Sequence, residues 1–208
     1  MTDSTAGRLK IGGILLVLPF ILVAANVIFG LSVGFQLPDP PVNTIGEYVQ
    51  RVTPMRGVYT VFLSVGVLSF LSTCAAMWSL YNIAAGTKAR YLLIAAVVLA
   101  TLAALLFTFH TYLDLGPLFN GPFTMSQPVH ENVVGPAWLG RAESILFWLA
   151  FAGLAFGLSA SGLLKRLGVV MGILGILGAV GAVAGLGLPP VIPEALGLII
   201  GIGLLLRR

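Results

Sequence analysis

Residues 11–34 hold no Asp, Glu, Lys or Arg, and the same is true of 57–84 and 91–113. An α-helix rises about 1.5 Å per residue, so about 20 apolar residues cross a hydrocarbon core about 30 Å thick. Uncharged runs of that length cannot serve as the half-wetted helices of a soluble domain. Composition points the same way. Only 9% of the 208 residues are charged and 58% are hydrophobic, against about a quarter charged in ordinary soluble domains. Mean hydropathy is +1.05. The expected fold class is therefore all-α, a polytopic membrane bundle forming a single domain over 1–208. The expected place is the cell membrane, with the lipid bilayer as the main surroundings.

Six spans are expected: 11–34, 57–84, 90–113, 139–162, 166–187 and 190–206. The sixth is short and is opened by "LPPVIPE". The two long outer connections are 35–56 and 114–138. The polar start "MTDSTAGRLK" leads into an apolar run too long for a signal-peptide core, with no small-residue cleavage site after it. It is expected to remain as the lead-in to the first span.

Charge sets the orientation. Arg8, Lys10, Lys88, Arg90, Lys165, Arg166, Arg207 and Arg208 fall on one side of the six spans, 8 of the 11 basic residues. The other side receives Arg51, Arg56 and Arg141 with Asp39, Glu47, Asp114, Glu131, Glu143 and Glu194. Basic short loops mark the cytoplasmic face, so both termini are expected inside. The same reasoning gives the pI near 9.6 a membrane explanation and leaves nucleic acid out of the expected partners. The single cysteine, Cys74, sits in an apolar run without CxxC spacing and reads as a small buried hydrophobe.

Lipid gives helices no hydrophobic reason to associate, so small residues that permit close approach carry much of the packing. In the fifth span Gly168, Gly172, Gly175, Ala179, Ala182 and Gly185 recur at three- and four-residue steps. Gly153, Gly157, Gly197 and Gly201 do the same in the fourth and sixth. Such a seam packs either inside the chain or against a membrane-protein partner or second copy through Gly168, Gly172, Gly175 and Ala179. No Asp, Glu, Lys, Arg or His lies at the centre of any expected span, where the polar groups are Asn26, Ser64, Ser69, Ser72, Thr73 and Thr101. Hydroxyls bond back to their own helix, Asn26 needs a partner on another helix, and Pro19 is expected to kink the first span.

The outer side carries whatever chemistry there is. Thr44 and Glu47 make a capping-box pattern for a short surface helix over about 45–53, closed before Pro54. The third connection is rich in Gly and Pro yet carries Phe119, Phe123, Met125 and Trp138, as a cap or an interfacial belt. Both histidines lie near it. His110 and Asp114 stand at i, i+4 on one helix face, and His130 with Glu131 precedes the fourth span. Imidazole and carboxylate together suit zinc, copper or iron, and also acid–base work. The same residues fit an ordinary rim network with Arg56, Arg141 and Glu143. No Walker loop, GxSxG or dinucleotide fingerprint is present in the sequence, and no catalytic residue stands out.

Phe147 and Trp148 in the fourth span, the inner turn with Ser161, Gly162, Arg166, Leu167 and Gly168, and the glycine-rich fifth span together form a pattern. With the opening "RLKIGGILLVLPFIL", it resembles a family of small six-span membrane proteins of bacteria and archaea. The resemblance implies six spans and no assigned catalytic residues. Three functions remain open: a non-enzymatic accessory or structural subunit of a membrane complex, an outer-face metal site using His110, Asp114, His130 and Glu131, or a binder of a small apolar or lipid ligand.

Overall fold

The computed structural model describes residues 3–34, 50, 52–83, 89–119, 138–186 and 191–207. Most of the surface helix expected over 45–53 lies outside them. So do Lys88, Phe123, Met125, His130 and Glu131. Every described regular element is helical: α1 (Asp3–Ser32), α2 (Arg56–Ile83), α3 (Arg90–Phe119), α4 (Trp138–Ala160), α5 (Lys165–Val183) and α6 (Val191–Leu205). Five of them are long and apolar enough to cross a membrane, and α6 is a shorter apolar helix of 15 residues.

One boundary differs from expectation, and one is more continuous than expected. Gln50 and Val52 are helical, and Pro54 follows them in a 3-10 turn, Thr53–Met55, that runs directly into α2. Proline has no N–H to lose at the start of a helix, so this is where it is tolerated. At the other end α3 continues past Asp114 to Phe119, which lengthens the helix carrying His110.

Neighbouring helices α1–α2, α2–α3, α3–α4 and α4–α5 pack side by side, and α6 returns to lie against α1 with lesser contact to α4 and α5. The interior is filled by side chains. Phe107 stacks on Phe70 at 4.6 Å, Phe70 meets Phe147 at 4.3 Å, and Phe147 meets Phe151 edge-on at 5.0 Å. This aromatic ladder joins α3, α2 and α4, and Phe151 continues it onto Gly197 of α6. Leu16, Met77, Leu80, Leu93 and Leu154 fill the remaining space without exposure.

α5 shows the packing rule most plainly. Gly168, Gly172, Gly175, Gly178 and Ala179 are buried, while Val169, Val170, Ile173, Ile176, Leu177 and Val180 point outward. A Cβ at Gly168 would lie 2.5 Å from the Ala155 carbonyl oxygen, and one at Gly175 would lie 2.9 Å from the Ala152 nitrogen. Gly172 rests on Phe156, and Gly178 on the indole of Trp148. The seam of the fifth helix is thus occupied by α4 of the same chain. Large residues outside and small ones inside suit an apolar solvent.

Polar groups inside the bundle stitch helices together. Pro19 deprives the Leu15 carbonyl of its normal helical donor, and Ser72 of α2 donates to that oxygen at 3.0 Å. Ser72 therefore reaches across rather than back along its own helix, whereas Thr73 and Thr101 bond back to Ser69 and Val97. Asn26 donates to the Phe62 carbonyl at 3.1 Å, the partner on another helix that its amide requires. At the basic end Arg207 donates to the carbonyls of Gly162 and Leu163 in the α4–α5 turn, which fixes the end of α6 there. Gly162 takes φ 77 in that turn, a conformation open to glycine.

The α1–α6 crossing is set by a reciprocal pair. A Cβ on Gly201 would sit 2.7 Å from the Gly13 oxygen, and a Cβ on Gly13 would sit 3.0 Å from the Gly201 oxygen. Gly201→Val is expected to destabilise the folded bundle by about 1–3 kcal/mol through overpacking against backbone. Ser72→Ala is expected to cost about 0.5–1.5 kcal/mol by orphaning the Leu15 carbonyl. Reversible unfolding in mixed micelles measures both.

Candidate functional site

α3 and α4 pack closely at small residues toward their basic ends, and Gly140 meets His110 at the acidic ends. The two helices run antiparallel, with Gly153 against Leu92 and Ala96, Gly157 against Leu93, and Gly140 against His110. Gly140 and Glu143 are three apart and share a face of α4. A Cβ at Gly140 would be 3.6 Å from His110 Cε1 and 3.7 Å from Glu143 Oε1. His110 Nδ1 lies 3.5 Å from Glu143 Oε1, with the two side chains 23% and 11% exposed. At that distance the pair is an electrostatic contact when the imidazole is protonated, and a weak hydrogen bond at best when it is neutral.

The partner of His110 is therefore not the residue that i, i+4 spacing picks out. Asp114 does lie one turn further along α3, but its side chain is outside the described residues, as are His130 and Glu131. Among the described residues no group of three or more His, Cys, Asp and Glu gathers as a metal site would require. Arg56 is exposed at the start of α2. Arg141 is exposed too, and a Cβ at Gly185, just beyond α5, would lie 3.6 Å from its Nη2. A cation at that position complements the negative end of α5. Glu143 stands in the second turn of α4, since the helix starts at Trp138 and has no acid in its first turn. The dipole of α4, effective within the first turn, is thus not what holds it.

Two acids are buried more deeply than their place among rim residues implies. Glu143 is 8% exposed and Glu194 only 2% exposed. Glu143 Oε2, Glu194 Oε2 and Thr111 Oγ1 are enclosed without a hydrogen-bond partner among the described residues. Glu194 is the residue that hydropathy misses. It sits in the first turn of α6, and in a short helix with its far end fixed the first turn lies below the rim. The signal in sequence was the brevity of the apolar stretch after "LPPVIP". Comparison with protein-family models, with curated proteins and with solved structures returns no match.

A partly exposed ion pair is worth about 0.2–1 kcal/mol. A double-mutant cycle on His110→Ala and Glu143→Ala, read by unfolding in mixed micelles below neutral pH, is expected to give a coupling in that range. A coupling near zero would show that the two side chains are adjacent without interacting.

Proposed function

We propose that the chain is a six-span membrane protein with both termini at the cytoplasmic face, acting without catalysis as a structural or accessory subunit of a larger membrane complex. The observation that carries this reading is the filled interior. Phe70, Phe107, Phe147 and Phe151 run through the bundle core, and the buried Asn26, Ser72 and Thr73 are committed to backbone carbonyls. What such a bundle offers to other molecules is its surface. The apolar outward residues of α5 and α1 and the basic loops support the membrane setting and orientation.

One observation favours a second reading. His110 and Glu143 converge, and a buried carboxylate oxygen beside them is unpartnered among the described residues. Nitrogen and oxygen ligands of one tetrahedral zinc, each about 2.0–2.1 Å from the metal, stand about 3.4 Å apart. A zinc, copper or iron ion held at the outer end by these two with Asp114, His130 or Glu131 is therefore the alternative.

Three measurements divide these readings. A cysteine placed at Arg141 is expected to react with an impermeant maleimide from outside intact cells, and one at Arg207 only after permeabilisation. Particles extracted in a mild native polymer are expected to carry a second polypeptide in fixed ratio. A single-chain particle with its own turnover would overturn the subunit reading. Stoichiometric metal lost on both His110→Ala and Glu143→Ala would establish the metal reading instead.

A further inference from the structure

Arg90, at the basic end of the bundle, is held in an aromatic corner. Its Nε donates to the Tyr81 hydroxyl at 3.2 Å, and its guanidinium carbon lies 5.9 Å from the centre of the Tyr81 ring. Trp78, one turn earlier on α2, meets the same ring at 5.7 Å with the planes 40° apart. Both contacts fix the plane of a side chain that is itself exposed. Ser79 Oγ donates to the Arg8 carbonyl at 3.4 Å, which brings the start of α1, with exposed Arg8 and Lys10, against the same end of α2.

This corner stands where hydrocarbon gives way to headgroups. α2 has 28 residues and is about 42 Å long, so it overruns a hydrocarbon core about 30 Å thick. A guanidinium is costly inside that core, which sets the Arg90 end of α2 at headgroup level. Trp78 and Tyr81, apolar rings with polar tips, suit that level. Trp78 is 57% exposed, and Tyr91 beside Arg90 is 81% exposed. Leu68, Leu71 and Trp78 are exposed at steps of three and seven, one face of a helix. They cover about 15 Å, the depth of one leaflet. A fixed cation thus stands at the head of an apolar track of acyl-chain length. The basic side of the chain holds eight Lys and Arg against one acid, Asp3, so its field favours anions.

We infer that Arg90 binds the phosphate of an anionic phospholipid in the leaflet at the basic end, with an acyl chain of that lipid along the Leu68, Leu71 and Trp78 face of α2. A guanidinium presents its donors in a planar fork that matches phosphate oxygens. Tyr81 takes the Nε donor and orients the plane, so the terminal nitrogens meet the phosphate. Orientation in advance lowers the cost of binding, and the surrounding positive charge selects an anionic lipid over a zwitterionic one.

The inference rests on the membrane-spanning reading, and the test separates the two. Protein reconstituted in phosphatidylcholine liposomes is first washed with alkaline carbonate. Loss of the protein from the vesicles would overturn the membrane reading, and the inference with it. Retained protein is taken into detergent micelles and titrated with phosphatidylglycerol or phosphatidylcholine, and bound lipid is counted by native mass spectrometry. Wild type is expected to prefer phosphatidylglycerol, and Arg90→Gln to bind it about fivefold more weakly. Arg90→Lys, which keeps the charge without the fork, and Tyr81→Phe, which frees the guanidinium, are expected to fall between. They carry the comparison if Arg90→Gln fails to fold. Lys165→Gln, at the start of α5, is expected to match wild type. An equal loss in Lys165→Gln would show diffuse attraction and overturn the site. Equal binding of the two lipids, or displacement of bound lipid by excess glycerol phosphate, would also overturn it while leaving the membrane reading intact.

Discussion

Backbone-to-backbone approach at small residues is the constraint on which the rest of the structure depends. Gly13 and Gly201 bring α1 and α6 together until each would clash with a side chain on the other, and Gly168 and Gly175 do the same for α5 on α4. With helices this close, dispersion contacts accumulate over whole faces. The aromatic ladder from Phe107 to Phe151 then has a fixed space to fill. Polar stitching depends on the same proximity: Ser72 reaches Leu15 and Asn26 reaches Phe62 because the α1–α2 faces are in register.

The architecture was legible in the sequence because span length and small-residue spacing are one-dimensional properties. The expected spans match the helices to within a few residues at most ends. The inter-helix need of Asn26 and the back-bonding of Thr73 and Thr101 follow from side-chain chemistry alone. Ser72 was not legible, because its partner is an oxygen freed by a proline 53 positions away in sequence, at Pro19. The loss of a donor on one helix becomes a need on another only after the two are packed.

The acidic end was legible in its inventory and not in its pairings. Spacing along α3 groups His110 with Asp114, whereas packing of α3 on α4 sets His110 beside Glu143. Pairings between helices depend on vertical register, and hydropathy does not encode that. Glu194 shows the same limit. By position in the chain it belongs with the loop acids, while by depth it belongs with the core, because α6 is 15 residues long and anchored at its far end.

That anchoring has a consequence for how the molecule is put together. α6 lies against α1, the first helix of the chain, with lesser contact to α4 and α5, and Arg207 fastens it to a turn that exists only once α5 has folded back. During synthesis the Gly13 face of α1 must therefore wait, covered by lipid or by a helper, until five other helices have been laid down. A chain stopped before α6 would leave Gly13 of α1 without the helix that packs on it.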